Sequence, residues 1–372
     1  MGTALASRRD WTSEGRSVAL AALLILLVAA CGGAGDAAGG DEGGPAAGDE
    51  GAQEVTEITM ARATWDTGFM QAAIYRQLLE ELGHSVSDPA DETVDPNVFY
   101  PALARRQYDF WANGWFPLHD IYLERELFTG EQEQQPITPV GTEVDGGALQ
   151  GYLVDAATAE ELNLTTMSDF TNTDVATTFD EDGDGLADLV GCNEGWGCNA
   201  QISEHIDRLD WGENVEQVVG EYSDQMEEVI DRVAAGEPAL FYTWTPNWTV
   251  DELVPGEDVV WLESPALPDD EGMTTAEGLE GCSTGGDACD LGWIVNDIRV
   301  VANEDFLSEN PDVEALFEAV EIPLDDIAEQ NARMREAGDS YTQEDIEQDA
   351  ADWIEANRAS VDGWLDQARS AA

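Results

Sequence analysis

A chain of 372 residues, 43% of them apolar and 8% aromatic, is long enough for two ordinary domains and too hydrophobic to be a disordered acidic polymer. Its charge is lopsided, with 79 Asp and Glu against 15 basic residues, all of them arginine. Such a surface repels nucleic acid and anionic lipid heads, whose binding needs clustered Lys and Arg, and it suits a protein bathed in concentrated salt, where screening removes the self-repulsion, with an arginine-biased genome as the alternative.

In chain order the first signal is one of targeting. Arg8, Arg9 and Arg16 precede an apolar run over residues 18–30 that ends in Val28-Ala29-Ala30-Cys31. A basic start, an apolar stretch too short to span a bilayer comfortably and small residues before a cysteine make residues 1–30 a lipoprotein signal peptide, with Cys31 the lipidated first residue of the mature protein. Residues 31–55, rich in Gly, Ala, Asp and Glu and without apolar periodicity, read as a solvated tether. The folded part is therefore expected outside the cytoplasm, held to the outer face of the cytoplasmic membrane by lipid alone.

From Glu57 the pattern becomes regular. Ile58 and Met60 alternate as in a strand, and Met70, Ile74, Leu78 and Leu82 then recur every four residues up to Gly83, an amphipathic helix with a glycine cap. A short helical segment and a strand over 108–115 complete a β-α-β pattern, which predicts parallel strands with right-handed crossovers and a crevice at their carboxyl ends. Residues 56–148 thus form the first part of one lobe. A second lobe over 149–295 opens with Gly151-Tyr152-Leu153-Val154 as a strand and 157–162 as a helix, and continues through the strands 240–242 and 259–261. A strand over 298–302 returns to the first sheet, and helices over 313–320, 324–334 and 346–368 pack on the first lobe, which residues 296–372 complete. No internal repeat and no second apolar span are found.

Beyond Cys31 the cysteines fall in two close pairs, Cys192 with Cys198 and Cys282 with Cys289, which read as short-loop disulfides of an oxidising compartment. Zinc is the weaker reading, because neither pair is C-x-x-C and His84, His119 and His205 are scattered. Asp180, Asp182, Asp184, Gly185 and Asp188 match the first nine positions of a calcium loop, with Leu186 at the position that supplies a carbonyl and Gly191 where the closing glutamate would stand. A calcium held there would be structural, and a solvated acidic loop is the alternative. No cofactor is required.

Tryptophan is the unusual residue, with 12 in the chain. Trp115, Trp196, Trp244 and Trp248 sit beside Gly, Pro or Thr at strand ends, where an aromatic ring either fills core or lines a crevice. Three segments carry them: Gly114-Trp115-Phe116-Pro117-Leu118-His119-Asp120, Gly191-Cys192-Asn193-Glu194-Gly195-Trp196-Gly197-Cys198 and Tyr242-Thr243-Trp244-Thr245-Pro246. With Gln150-Gly151-Tyr152-Leu153, residues 180–189, Val259-Val260-Trp261-Leu262 and Val300-Val301-Ala302-Asn303 in the same order, the chain resembles the ProX-type glycine betaine-binding proteins of bacterial osmoprotectant ABC importers, from about Ile58 to its C-terminus.

The resemblance implies an α/β, two-lobed periplasmic-binding-protein-like (type II) fold, each lobe a sheet flanked by helices, with the ligand in the inter-lobe cleft. It implies a box of Trp115, Trp196 and Trp244 around a trimethylammonium group, with His119 and the backbone N–H groups of Gly197 and Cys198 at the carboxylate. Its partners would be an ABC permease and ATPase, and the receptor itself a monomer. The chemistry agrees. A quaternary ammonium has no N–H to donate and a diffuse charge, so π-faces suit it. Ile202, Ile206 and Leu209 mark a helix starting just after Cys198, whose first N–H groups would point at the anion. Two departures stand out: Phe116 replaces the threonine of enterobacterial relatives, and those relatives lack a Cys282–Cys289 loop. Trp65-Asp66, after the first strand, fits the cleft or the core equally well.

No Ser-His-Asp, Cys-His or paired-carboxylate set stands out, so a binding receptor is expected rather than a hydrolase. Glycine betaine leads, then proline betaine, with choline third because it lacks a carboxylate. A choline or carnitine receptor, or a membrane-anchored sensor uncoupled from transport, is the alternative.

Overall fold

The main sheet has seven strands: β1 (Phe110–Phe116), β2 (Ile137–Asp155), β3 (Ala187–Val190), β4 (Val215–Val218), β5 (Leu240–Thr245), β6 (Val259–Leu262) and β7 (Asn296–Asn303). They belong to a computed structural model that describes residues 56–126, 132–268 and 270–372; the signal peptide, Cys31 and the tether lie outside them. The strand order is β4-β3-β5-β2-β7-β1, with β6 also on β2. Every residue of β1 is buried, which is why its sequence, Phe-Trp-Ala-Asn-Gly-Trp-Phe, lacks a polar alternate.

β2 serves both halves of the sheet. Its first part pairs antiparallel with β7, from Ile137 opposite Asn303 to Ala148 opposite Asn296. From Leu149, opposite Thr245, to Val154, opposite Leu240, it pairs with β5, and its end also pairs with β6. The partner changes between Ala148 and Leu149. Just before that point Gly146 and Gly147 take φ of 66° and 77°, a backbone conformation that side chains disfavour.

Parallel pairing is narrower than the β-α-β pattern predicts. It joins β3 to β4 and β5, two short ladders, Glu57–Ile58 with Ser85–Val86 and Arg62–Ala63 with Thr93–Val94, and the first expected strand to β1 through a single parallel bridge from Met60 to Phe110. β1 and β2 both run antiparallel to β7. β7 is the returning segment, so it lies between the two outgoing strands in the opposite direction.

Among the described residues, nine α-helices of seven residues or more flank these strands: α1 (Phe69–Leu82), α2 (Pro96–Leu103), α3 (Ala156–Leu162), α4 (Gly197–Arg208), α5 (Tyr222–Ala235), α6 (Pro311–Ala319), α7 (Leu324–Ala337), α8 (Gln343–Ala356) and α9 (Arg358–Ala371). α1 buries Met70, Ile74, Leu78 and Leu82 and ends at Gly83 with φ 104°, as its periodicity predicts. The expected helix over 346–368 is broken into α8 and α9 at Asn357, whose φ and ψ are −101° and 19° and whose side chain donates to the Trp353 carbonyl at 2.9 Å. The buried stripe Ile346, Ala350, Trp353 and Ile354 continues in phase as Val361, Leu365 and Ala368, so apolar spacing alone gives no sign of the break. Among the described residues no helix is long and apolar enough to cross a membrane.

Candidate ligand-binding site

Where the ends of β1 and β5, the middle of β2 and the start of α4 meet, they line a cavity. Trp115, His119, Trp196, Gly197, Cys198 and Trp244 all line it. Trp115 is the penultimate residue of β1, Trp244 lies near the end of β5 and Trp196 is the N-cap of α4. Each of these three indoles is 7% exposed or less, so the cavity, rather than solvent, receives their faces.

Their N–H groups are turned into the walls. Trp115 Nε1 donates to Asn113 Oδ1 at 2.9 Å, Trp196 Nε1 donates to Thr64 Oγ1 and Asp95 Oδ1, both at 2.9 Å, and Trp244 Nε1 donates to Thr67 Oγ1 at 3.3 Å. The rings therefore offer π-faces rather than donors. Trp196 and Trp244 stand 5.8 Å apart at 75°, so a compact cation meets faces from more than one direction, each contributing about 0.5–2 kcal/mol.

Other lining groups are placed to donate. His119 is buried, and burial pushes its imidazole down to about 3, so the ring is neutral at physiological pH. Its Nδ1 accepts the backbone N–H of Trp115 at 3.2 Å and lies 2.9 Å from the Tyr100 hydroxyl. A backbone N–H can only donate, so the ring proton is assigned to Nε2, which is left as the donor. Gly197 and Cys198 are the first two residues of α4, and N–H groups there have no partner within the helix. A β-carbon on Gly197 would stand 2.9 Å from Leu118 Cγ and 3.4 Å from His119 Cδ2, so glycine lets the helix end approach the histidine. The Cys192–Cys198 disulfide ties this first turn to the loop after β3.

Four lining residues lie outside the predicted set: Trp65, Leu118, Gln150 and Tyr242. Trp65 packs 5.3 Å from Trp196 at 72° and donates to the same Asn113 oxygen as Trp115, at 2.6 Å. Tyr242 lies two residues before Trp244 on β5, hence on the same face, and Gln150 pairs with Trp244 across the ladder. Period-two reading along β5 would have found Tyr242.

Other candidates fall elsewhere. Trp248 carries the Arg335 guanidinium 4.2 Å above its ring, Asp66 is pushed up to about 6 by burial, and Phe116 packs 6.1 Å from the His119 ring without lining the cavity. His84 pairs with Asp312 at 2.9 Å and His205 with the Tyr152 hydroxyl at 2.8 Å. Cys282 and Cys289 are disulfide-bonded. In the acidic loop, oxygens of Asp180, Asp182 and Asp188 gather within 4.8 Å, as do those of Asp182, Asp184 and Glu216. This all-oxygen set fits a hard cation such as calcium, and Glu216, from β4, is a member that the loop pattern does not contain. Leu186 lies in the same loop, between Gly185 and β3.

Comparison with known proteins gives the same direction. Residues 56–356 match the family described as the substrate binding domain of ABC-type glycine betaine transport systems. The chain is 38% identical over 304 residues to the glycine betaine-binding periplasmic protein OusX of Dickeya dadantii, covering 81% of this chain and 86% of that one. It is 36% identical over 303 residues, with the same coverage, to a glycine betaine/proline betaine-binding periplasmic protein of Salmonella typhimurium. Among solved structures it is similar to lactococcal OpuAC closed on glycine betaine, with a TM-score of 0.59, 17% identity and coverage of 83% and 99%. It is likewise similar to ProX of Borrelia burgdorferi, with a TM-score of 0.60, 15% identity and coverage of 83% and 96%. The fold is the two-lobed, type II periplasmic-binding-protein fold, and the chain belongs to the family of substrate-binding domains of ABC-type glycine betaine transport systems.

Proposed function

We propose that this protein captures glycine betaine or proline betaine outside the cytoplasm and hands it to the permease and ATPase of an ABC importer. The observation that carries the reading is the mixed lining of one cavity: indole faces with their N–H groups turned away, together with a neutral histidine beside the N-terminus of α4. In this reading Trp115, Trp196 and Trp244 enclose the trimethylammonium group, and His119 Nε2 with the Gly197 and Cys198 amides holds the carboxylate. Residues 56–148 and 296–372 form one lobe and 149–295 the other, hinged near Gly146 and Gly147. Trp115 and His119 then come from one lobe, the remaining ligand residues from the other, and ligand binding draws the lobes together.

Calorimetric titration tests this. Each Trp→Ala change should weaken glycine betaine about 10- to 100-fold, or roughly 1.4 kcal/mol per tenfold. His119→Ala should weaken betaines and spare choline, which has no carboxylate to lose. Three Trp variants that stay folded by circular dichroism and bind glycine betaine like the parent would rule the aromatic box out. The lipobox supports a lipid anchor at Cys31. A Cys31→Ser protein should appear in the soluble extracytoplasmic fraction, and its retention on membranes through the N-terminus would count against the anchor.

A further inference from the structure

We propose that Gln150 is a further ligand-contacting residue of this cavity, donating Nε2–H to the ligand's carboxylate beside His119, Gly197 and Cys198. The proposal rests on the betaine-binding reading and extends it.

Gln150 lies in the middle of β2, 1% exposed, in the cavity wall. Its Oε1 accepts the Tyr242 hydroxyl at 2.7 Å, the one hydrogen bond that hydroxyl makes among the described residues, and in this amide orientation Nε2 lies on the other side. That nitrogen is buried and has no protein partner. A buried donor left unpaired is disfavoured, and such groups are rare unless something else satisfies them.

Its chemistry selects the carboxylate, because an N–H donor finds no acceptor on a trimethylammonium group. Gln150 stands opposite Trp244 in the ladder, and Tyr152, two residues on and on the same face, meets His205 of α4 through its hydroxyl. Moving back from Tyr152 to Gln150, about 7 Å along the strand, parallels moving back from His205 to Cys198, about 10 Å along the helix. Both movements run toward the cavity, where the first turn of α4 presents its amides. A carboxylate offers about four lone-pair sites. His119 Nε2 and the two α4 amides account for three of them, and Gln150 Nε2 supplies the fourth.

Two substitutions separate the donor from the shape of the wall. Gln150→Met keeps length and bulk but removes the amide, and Gln150→Glu keeps the shape but replaces the donor with an acceptor of like charge to the ligand's. Titrated with glycine betaine and with choline, Gln150→Met should lose about tenfold or more for glycine betaine and stay within about threefold of the parent for choline. Gln150→Glu should lose more for glycine betaine and improve for choline, whose cation meets an added carboxylate. Melting curves verify folding, and Tyr242→Phe in the Gln150→Met background removes the hydroxyl that would otherwise lose its acceptor. A folded Gln150→Met protein that binds glycine betaine like the parent overturns the proposal, as do equal losses for both ligands, which would mark a packing role. A parent that binds no betaine overturns the functional reading and this proposal with it, whereas unchanged variants of a binding parent sink this proposal alone.

Discussion

Asn113 holds two cavity indoles on a single oxygen. Trp65 and Trp115 both donate to its Oδ1, at 2.6 and 2.9 Å, while its Nδ2 donates to Gln71 Oε1. Replacing it with leucine, close in size, would orphan both indole N–H groups and the Gln71 oxygen, each at about 1–3 kcal/mol when buried. Asn113→Leu should therefore melt at a lower temperature and bind glycine betaine about tenfold more weakly, as thermal unfolding and calorimetry would read. Binding within twofold of the parent would mean that packing alone sets the ring positions. The same residues mark how far the site was legible in the sequence. Trp115, Trp196 and Trp244 could be singled out because each sits in a Gly- or Pro-flanked segment and the segments follow one another in a family order. Trp65 could not be assigned, since the short strand before it does not fix where its ring points. Its place depends on Asn113, which meets it only when β1 is laid alongside. Gln150 belongs to one of the family-like segments, but nothing local places it in the cavity, because its pairing with Trp244 is a register between distant segments that local spacing does not encode.

β2 is the element that the sequence pattern least reveals and the fold most depends on. Its second half, around Gly151-Tyr152-Leu153-Val154, reads as a strand, whereas Ile137-Thr138-Pro139-Val140-Gly141-Thr142-Glu143-Val144 gives no clean alternation. Along this stretch Ile137, Val140, Glu143 and Val144 are buried, so burial does not alternate, and the ladder to β7 shifts register twice. Bulges of this kind break the period of two on which strand reading rests. The 19 residues of β2 behave as two strands joined at Gly146 and Gly147. Several modest contacts link the proposed lobes: Trp196 to Thr64 and Asp95, the Thr67 hydroxyl to the Pro246 carbonyl at 3.0 Å, and the Tyr122 hydroxyl to the Gly195 carbonyl at 3.0 Å. Near the end of α7, Arg335 pairs with Glu227 at 2.5 Å and Glu252 at 3.2 Å. Half-exposed ion pairs contribute about 0–1 kcal/mol and neutral hydrogen bonds about 1 kcal/mol. Under the proposed two-lobe closure no single latch dominates, and a ligand touching both lobes has enough differential affinity to shift the balance.

At the scale of the whole molecule, a formal charge of −64 sets two electrostatic effects against each other. Salt weakens ion pairs such as Arg76 with Glu347 at 3.1 Å and Arg358 with Glu81 at 2.8 Å, and it also screens the repulsion among the carboxylates. With 15 arginines facing 79 acidic residues, the favourable pairs are few, and each exposed one contributes about 0.2–1 kcal/mol. The repulsion, in contrast, is shared by every uncompensated carboxylate. Its range falls from about 10 Å at 0.1 M salt to about 3 Å at 1 M, so relief of repulsion outweighs loss of pairing. The melting temperature should therefore rise from dilute buffer to molar NaCl or KCl. Sucrose stabilises through exclusion from the protein surface rather than through charge, so a sucrose series separates screening from a general solvent effect. Glycine betaine carries no net charge, so the acidic field exerts little pull on it, and its affinity for the folded protein should change far less with salt than the stability does. A melting temperature that is flat or falls with salt would remove the saline-adaptation reading, and a rise matched by sucrose would remove charge screening as its cause.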